Sequence, residues 1–282
     1  MTPFDATACR LGEGALWHPG RGSLFWFDIL NRRMYERAPG ADAARIREFP
    51  DMVSAAGIVD DDRLLVASSR ALLLVDLADG GSEPLVPLEA DNPATRSNDG
   101  RADPQGGFWI GTMGLSAQAG AGSIWRYWRG ELRQIFGGIT ISNAICFAPD
   151  GGHACFADTR EGIIRRVALD RDGWPLGDAA PFIDLRAEGL SPDGAVIDAE
   201  GALWSAQWGA SRVARYDRDG RFMDAVALPA SQISCPAFGG AELTTLFATS
   251  AFDGLAAPGP ADGQTFAVPG AGRGQAEHRV IL

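Results

Sequence analysis

The sequence predicts an all-β protein, a six-bladed β-propeller, and three observations predict it. First, 36 glycines and many short alternating runs in 282 residues read as strands joined by turns, with no long amphipathic helix. Second, a strand core recurs: LFWFD at 24, LLVAS at 64, FWIGT at 108, ACFAD at 154, LWSAQ at 203 and LFATS at 246, at intervals of 40, 44, 46, 49 and 43 residues. Third, each core follows a turn-like stretch (HPGRGS, DDDR, DPQGG, APDGGH, DAEGA, GGAELT), and further candidate strands such as SIWRYWR, IIRRVALD and RVARYDRDG come after. Six units of about 40–50 residues, each with about four strands, are the pattern of a propeller, whereas a two-sheet sandwich has no reason to repeat at this period. The length fits one domain, 1–282. The terminal segments DATACR and HRVIL are expected to close the ring and protect its sheet edges.

Counting back ten or eleven residues from each core reaches the start of its unit's first strand, which in a propeller lines the central channel. Unit one then presents Glu13 in LGEGALW, unit three Asn98 in RSNDGRAD, unit four Asn143 in ISNAICFAP and unit five Asp193 in SPDGAVID. Units two and six fall near Val53–Ser54 and Cys235–Pro236. Four of six equivalent positions thus carry oxygen donors that converge at one channel mouth. Taken singly, each Asn or Asp reads equally well as a turn former. In register, two neighbouring carboxylates repel each other unless a cation lies between them. The fold class becomes an all-β six-bladed propeller with a central metal site. Oxygen ligands without histidine or thiolate suit one divalent ion, Ca²⁺, Mg²⁺, Mn²⁺ or Fe²⁺, with Zn²⁺ also to be tested, and do not choose among them.

Composition excludes several classes. A net charge of −11 disfavours nucleic acid and anionic membrane. All 25 basic residues are arginine, which removes Schiff-base chemistry and the P-loop lysine. The N-terminus lacks the basic and apolar regions of a secretory signal, and no apolar run is long enough to span a bilayer, so a cytoplasmic location is expected. Cys9, Cys146, Cys155 and Cys235 form no CxxC pair and read as small buried residues. His18, His153 and His278 share no metal-ligand spacing. DRDG at 170–173 and 217–220 lacks the glutamate of a calcium loop and reads as hairpin turns. GAGRG at 270–274 has no strand-to-helix context, and neither GxSxG nor HExxH occurs. Trp17, Trp109 and Trp204 are expected in blade packing, with Trp208 placed either there or at the channel. Asp99 is read as a carboxylate behind Asn98 or as a turn residue.

CRLGEGALW, RSNDGRADPQGGFWIGTM, ITISNAICFAPDG and LSPDGAVIDAEGALWSAQWG together resemble, in order and over nearly the whole chain, the motifs of the family of regucalcin (SMP-30), gluconolactonases and bacterial sugar lactonases. The chain is most similar to the sugar-acid lactonases, such as xylonolactonases. The resemblance implies a metal held by Glu13, Asn143 and Asp193, substrate binding by Arg96 and Asn98, and Asp193 as the catalytic base. It implies a small sugar lactone as the partner and a monomer or small homo-oligomer. A further acidic substrate contact present in some members is missing from GTMGLSAQAGAG, so the resemblance leaves the sugar specificity open but not the metal site. The expected activity is metal-dependent hydrolysis of an aldonolactone to the aldonic acid. The alternatives are a calcium-binding regulatory propeller and a propeller that binds partners on its rim.

Overall fold

The six recurring cores become the second strands of six antiparallel sheets in the computed structural model, which describes residues 2–282. Blade 1 holds β1 (Gly12–His18), β2 (Ser23–Asp28), β3 (Arg33–Arg37) and β4 (Arg45–Glu48). Blade 2 holds β5 (Val53–Ile58), β6 (Arg63–Ser68), β7 (Ala71–Asp76) and β8 (Ser82–Pro87). Blade 3 holds β9 (Thr95–Ala102), β10 (Phe108–Gly114), β11 (Gly122–Trp128) and β12 (Glu131–Ile139). Blade 4 holds β13 (Ser142–Phe147), β14 (His153–Asp158), β15 (Ile163–Ala168) and β16 (Ala180–Asp184). Blade 5 holds β17 (Ser191–Ile197), β18 (Leu203–Trp208), β19 (Arg212–Tyr216) and β20 (Phe222–Ala227). Blade 6 has three strands, β21 (Gln232–Gly239), β22 (Thr245–Ala251) and β23 (Phe266–Pro269). Among the described residues no helix is long and apolar enough to cross a membrane.

Burial falls from the axis outward. β5 is buried along its whole length, whereas β8 and β20 are almost wholly exposed, which is why the outer strands read SEPLVP and FMDAVA. Inner and second strands are covered on both faces because each blade packs against two neighbours. β6 shows the rule: Leu64 and Val66 pack toward blade 1, Leu65 and Ala67 toward blade 3, as the two-residue period of a strand requires. The apolar core is therefore six seams, one between each pair of adjacent blades. Trp17, Trp109 and Trp204 lie in these seams, against Phe247, Phe147 and Phe238. The four cysteines are buried and free. Both DRDG stretches are turns between third and fourth strands, in which Asp170 and Asp217 accept backbone N–H groups of residues two and four positions on.

The two ends of the chain do different things. Asp5 pairs with Thr265, and the Cys9 N–H donates to the Gly263 carbonyl, so the N-terminal segment completes blade 6 and closes the ring. HRVIL adds no blade edge, which corrects the expectation that it closes the ring. The stretch from Arg273 onward instead straps the end of the channel where the inner strands finish. Ala199 N–H donates to Arg273 O, Gln275 Nε2 to Phe147 O and Ile197 O, Val280 N–H to Ile58 O and Ile281 N–H to Gly106 O. Its Glu277 forms an ion pair with Arg101 on β9, both nearly buried, and only about 20 Å³ remains beneath the strap. This path over blades 5, 4, 3 and 2 holds backbone groups no sheet satisfies.

Candidate active site in the channel

All six inner strands carry a β-bulge at the same height, where two residues oppose one of the second strand. The bulges re-aim the side chains beside them. Glu13, Asn98, Asn143 and Asp193 all stand at these bulges, as counting back from the cores predicts. In blades 2 and 6 the same place falls on Ser54 and Ser234. For blade 6 this corrects the assignment to Cys235–Pro236 by one residue, so every blade offers an oxygen. The two serines serve the seams: Ser54 Oγ donates to Ser97 Oγ at 2.8 Å, and Ser234 Oγ donates to Gly12 O.

Two bulges depend on backbone that few residues tolerate. Gly14, after Glu13, has φ +60°, and a Cβ there would stand 2.2 Å from Ser54 O. Ala144, after Asn143, has φ +55°. The bulge frees the Ile145 N–H, which donates to Asp99 Oδ2 at 2.7 Å from the neighbouring blade. Asp99 thus lies on β9 behind the cavity lining, the first of its two readings, and not in a turn; it supports the bulge beside Asn143. Strand entry is fixed by a repeated device: Asp28 accepts the N–H groups of Arg10 and Leu11, and Asp158 those of Thr140 and Ile141.

The side chains meet in a cavity of about 280 Å³, near the lower limit of about 300 Å³ for small-molecule sites. Its inner lining comes from the starts of inner strands: Glu13, Arg96, Asn98, Asn143 and Asp193, all buried, with Leu11 and Ile141 beside them. Its outer lining comes from the ends of second strands and just beyond: Met113, Thr159, Trp208 and Asp253. All five predicted site residues come together, Trp208 lines the cavity, and no histidine does. Leu11, Ile141, Met113, Thr159 and Asp253 were missed. Met113, Thr159 and Trp208 each lie five residues past the first residue of their core, so counting forward as well as back finds them.

The polar network is largely satisfied internally. Arg96 Nη1 donates to Ser97 O and Asn98 Oδ1 at 2.9 and 2.7 Å. Asn98 Nδ2 donates to Ser142 O and Asn143 Oδ1 at 2.8 and 3.2 Å. Asn143 Nδ2 donates to Thr159 Oγ1, which donates in turn to Pro192 O. This chain fixes the orientation of the Asn143 amide, whose oxygen accepts from Asn98. The charges are not balanced. Burial, and next the Asp99 charge, push the Glu13 carboxyl up to about 8. Burial, then Glu13 and Asp99, hold the Asp193 carboxyl well above the usual carboxylate range. Burial lowers the Arg96 guanidinium to about 10. Two buried carboxylates and an amide oxygen facing one cavity fit a divalent cation, which supplies the positive charge Arg96 alone does not. Among the described residues no group of three His, Cys, Asp or Glu is placed to hold a metal.

Residues 11–252 match the family model described as the SMP-30/Gluconolactonase/LRE-like region. The chain is 35% identical over 265 residues to L-arabinolactonase of Azospirillum brasilense, covering 91% of this chain and 86% of that protein. It is 33% identical over 257 residues to 6-deoxy-6-sulfogluconolactonase of Pseudomonas putida, covering 89% and 87%. The crystal structure of a calcium-binding protein, regucalcin, from Agrobacterium tumefaciens superposes with a TM-score of 0.96 at 40% identity, covering 99% of this chain and 97% of that one. With a match over most of its length and a ring of oxygen donors at the expected bulges, the chain belongs to the SMP-30/gluconolactonase/LRE-like family.

Proposed function

We propose that the protein is a divalent-metal-dependent sugar lactonase that hydrolyses an aldonolactone, of glucono-, xylono-, arabinono- or galactonolactone type, to the free aldonic acid. The observation that carries this reading is the convergence of Glu13, Asn143 and Asp193 with Arg96 and Asn98 in one sugar-sized cavity. Two relatives named as lactonases support it.

Glu13, Asn143 and Asp193 would hold the ion, which would supply Lewis-acid polarisation of the lactone carbonyl. Asp193 takes a proton from the attacking water as the water oxygen bonds to the carbonyl carbon. When the ring C–O bond breaks, the same proton passes to the departing ring oxygen, which becomes a hydroxyl. Arg96 keeps its Nε and Nη2 hydrogens for substrate oxygens, since Nη1 is engaged within the protein.

The test is proton release from a panel of aldonolactones by pH-stat, against the spontaneous blank, with chelator-treated protein given Ca²⁺, Mg²⁺, Mn²⁺, Zn²⁺ or Fe²⁺ in turn. Turnover that needs a metal and disappears in folded Asp193→Asn supports the reading. A second reading, a calcium-binding regulatory propeller, draws on the Agrobacterium relative described as calcium-binding. Tight Ca²⁺ binding without turnover on any lactone favours that one.

A further inference from the structure

We infer that Asp253 is the residue that selects the substrate's exocyclic end, accepting a hydrogen bond from its hydroxyl and rejecting an anionic group there. The inference rests on the lactonase reading and deepens it. Inside the cavity, nearly every hydrogen-bonding group is already committed. Asn98, Asn143 and Thr159 bond to one another and to Ser142 and Pro192. Glu13 and Asp193 belong to the carbonyl end, where hydrolysis takes place. Leu11, Met113 and Ile141 are apolar. What remains free is donor capacity on Arg96 and the Trp208 indole, and acceptor capacity on Asp253.

Asp253 lies two residues past β22, on the outer lining, and blade 6 places it across the channel from Arg96 and Asn98 on blade 3. Arg10 Nε donates to its Oδ1 at 2.8 Å, and the Asp253 N–H donates to Arg10 O, which fixes the carboxylate. Among the described residues, Oδ2 has no hydrogen-bond partner. A lactone with its carbonyl at the inner donors directs its far end to the outer lining. A hydroxyl there finds one acceptor, held in place, beside the Trp208 face. A sulfonate, phosphate or carboxylate there has no hydrogen to donate to Oδ2 and faces its negative charge, although the Arg10 guanidinium paired with Asp253 offsets part of that repulsion. The substrate class is therefore a neutral aldonolactone bearing an exocyclic hydroxyl.

The experiment compares kcat and KM for three lactones in the metal-loaded enzyme: a neutral hexonolactone, its 6-deoxy analogue and its 6-deoxy-6-sulfo analogue. Wild type, Asp253→Ala and Asp253→Asn are assayed, with metal affinity measured by calorimetry. An exposed ion pair contributes little to stability, so both variants fold; unfolding curves check it. Wild type is expected to favour the hydroxylated lactone over the deoxy analogue by about tenfold in kcat/KM, the value of one charge-assisted hydrogen bond. Asp253→Ala erases that preference through KM, lowering kcat/KM more on the hydroxylated lactone than on the deoxy lactone, and keeps metal affinity. Asp253→Asn narrows the gap against the sulfo analogue. An equal loss on hydroxylated and deoxy lactones makes Asp253 structural and overturns the inference, as does no change on any substrate. Wild-type failure on every lactone overturns the lactonase reading itself, a result distinct from either.

Discussion

At the scale of single residues, the channel is governed by how many carboxylates share it. Asp99 accepts the Ile145 N–H where the blade 4 bulge leaves it unpaired. Asp99→Ala is expected to cost about 1–3 kcal/mol, the range for a buried donor left without an acceptor, whereas Asp99→Asn, whose amide oxygen still accepts, costs less; urea unfolding measures both. Burial pushes Asp99 from 3.8 up to about 6 and Glu13 from 4.5 up to about 8. Both groups bind a proton more readily in the folded chain than in the unfolded one. Their protonation favours folding at low pH, and that contribution is lost as pH rises through the folded values. Metal-free protein is therefore expected to lose stability between about pH 5 and pH 8, and saturating Ca²⁺ to remove that slope; unfolding midpoints across pH with and without chelator test it. Glu13, Asn98, Asn143 and Asp193 were legible because they recur at one offset from a repeating core. Asp253 was not, because it follows its strand by two residues more than its counterparts and sits in a loop rich in proline and glycine.

The strands themselves were the easiest elements to read. Every second strand is buried on both faces, so its core is nearly all apolar and stands out. The bulges were invisible because a bulge is a mismatch of count between two strands, and neither strand alone records it. Their effect on the site is nonetheless direct. Gly14 has no room for a methyl group against Ser54 O and holds a left-handed conformation. Gly14→Ala is expected to destabilise the fold by about 3 kcal/mol, from strain and overpacking together, with an unchanged denaturant slope. Because Glu13 precedes it, the same change should weaken metal binding, which calorimetry on the folded fraction reads separately.

Across the molecule, cohesion is divided among six seams instead of one centre. The repeat period announced this arrangement. The use of the C-terminus did not, since HRVIL has the composition of an edge strand and only the long path from Arg273 reveals a strap. Arg101 and Glu277 tie that strap to blade 3, with side chains 10% and 9% exposed. Glu277→Ala leaves a buried guanidinium unpaired and is expected to cost about 3 kcal/mol; adding Arg101→Leu should recover much of it. Differential scanning calorimetry on the two single variants and the double variant tests the coupling.

The strap also decides traffic. With the far end of the channel shut, the cavity has one door, and whatever enters must leave the way it came. On the proposed activity a lactone goes in and an acid comes out, carrying a negative charge it lacked on arrival, past Asp253 at the outer lining. Incoming and outgoing molecules queue at the same threshold, so the acid should behave as a purely competitive inhibitor, and a feeble one.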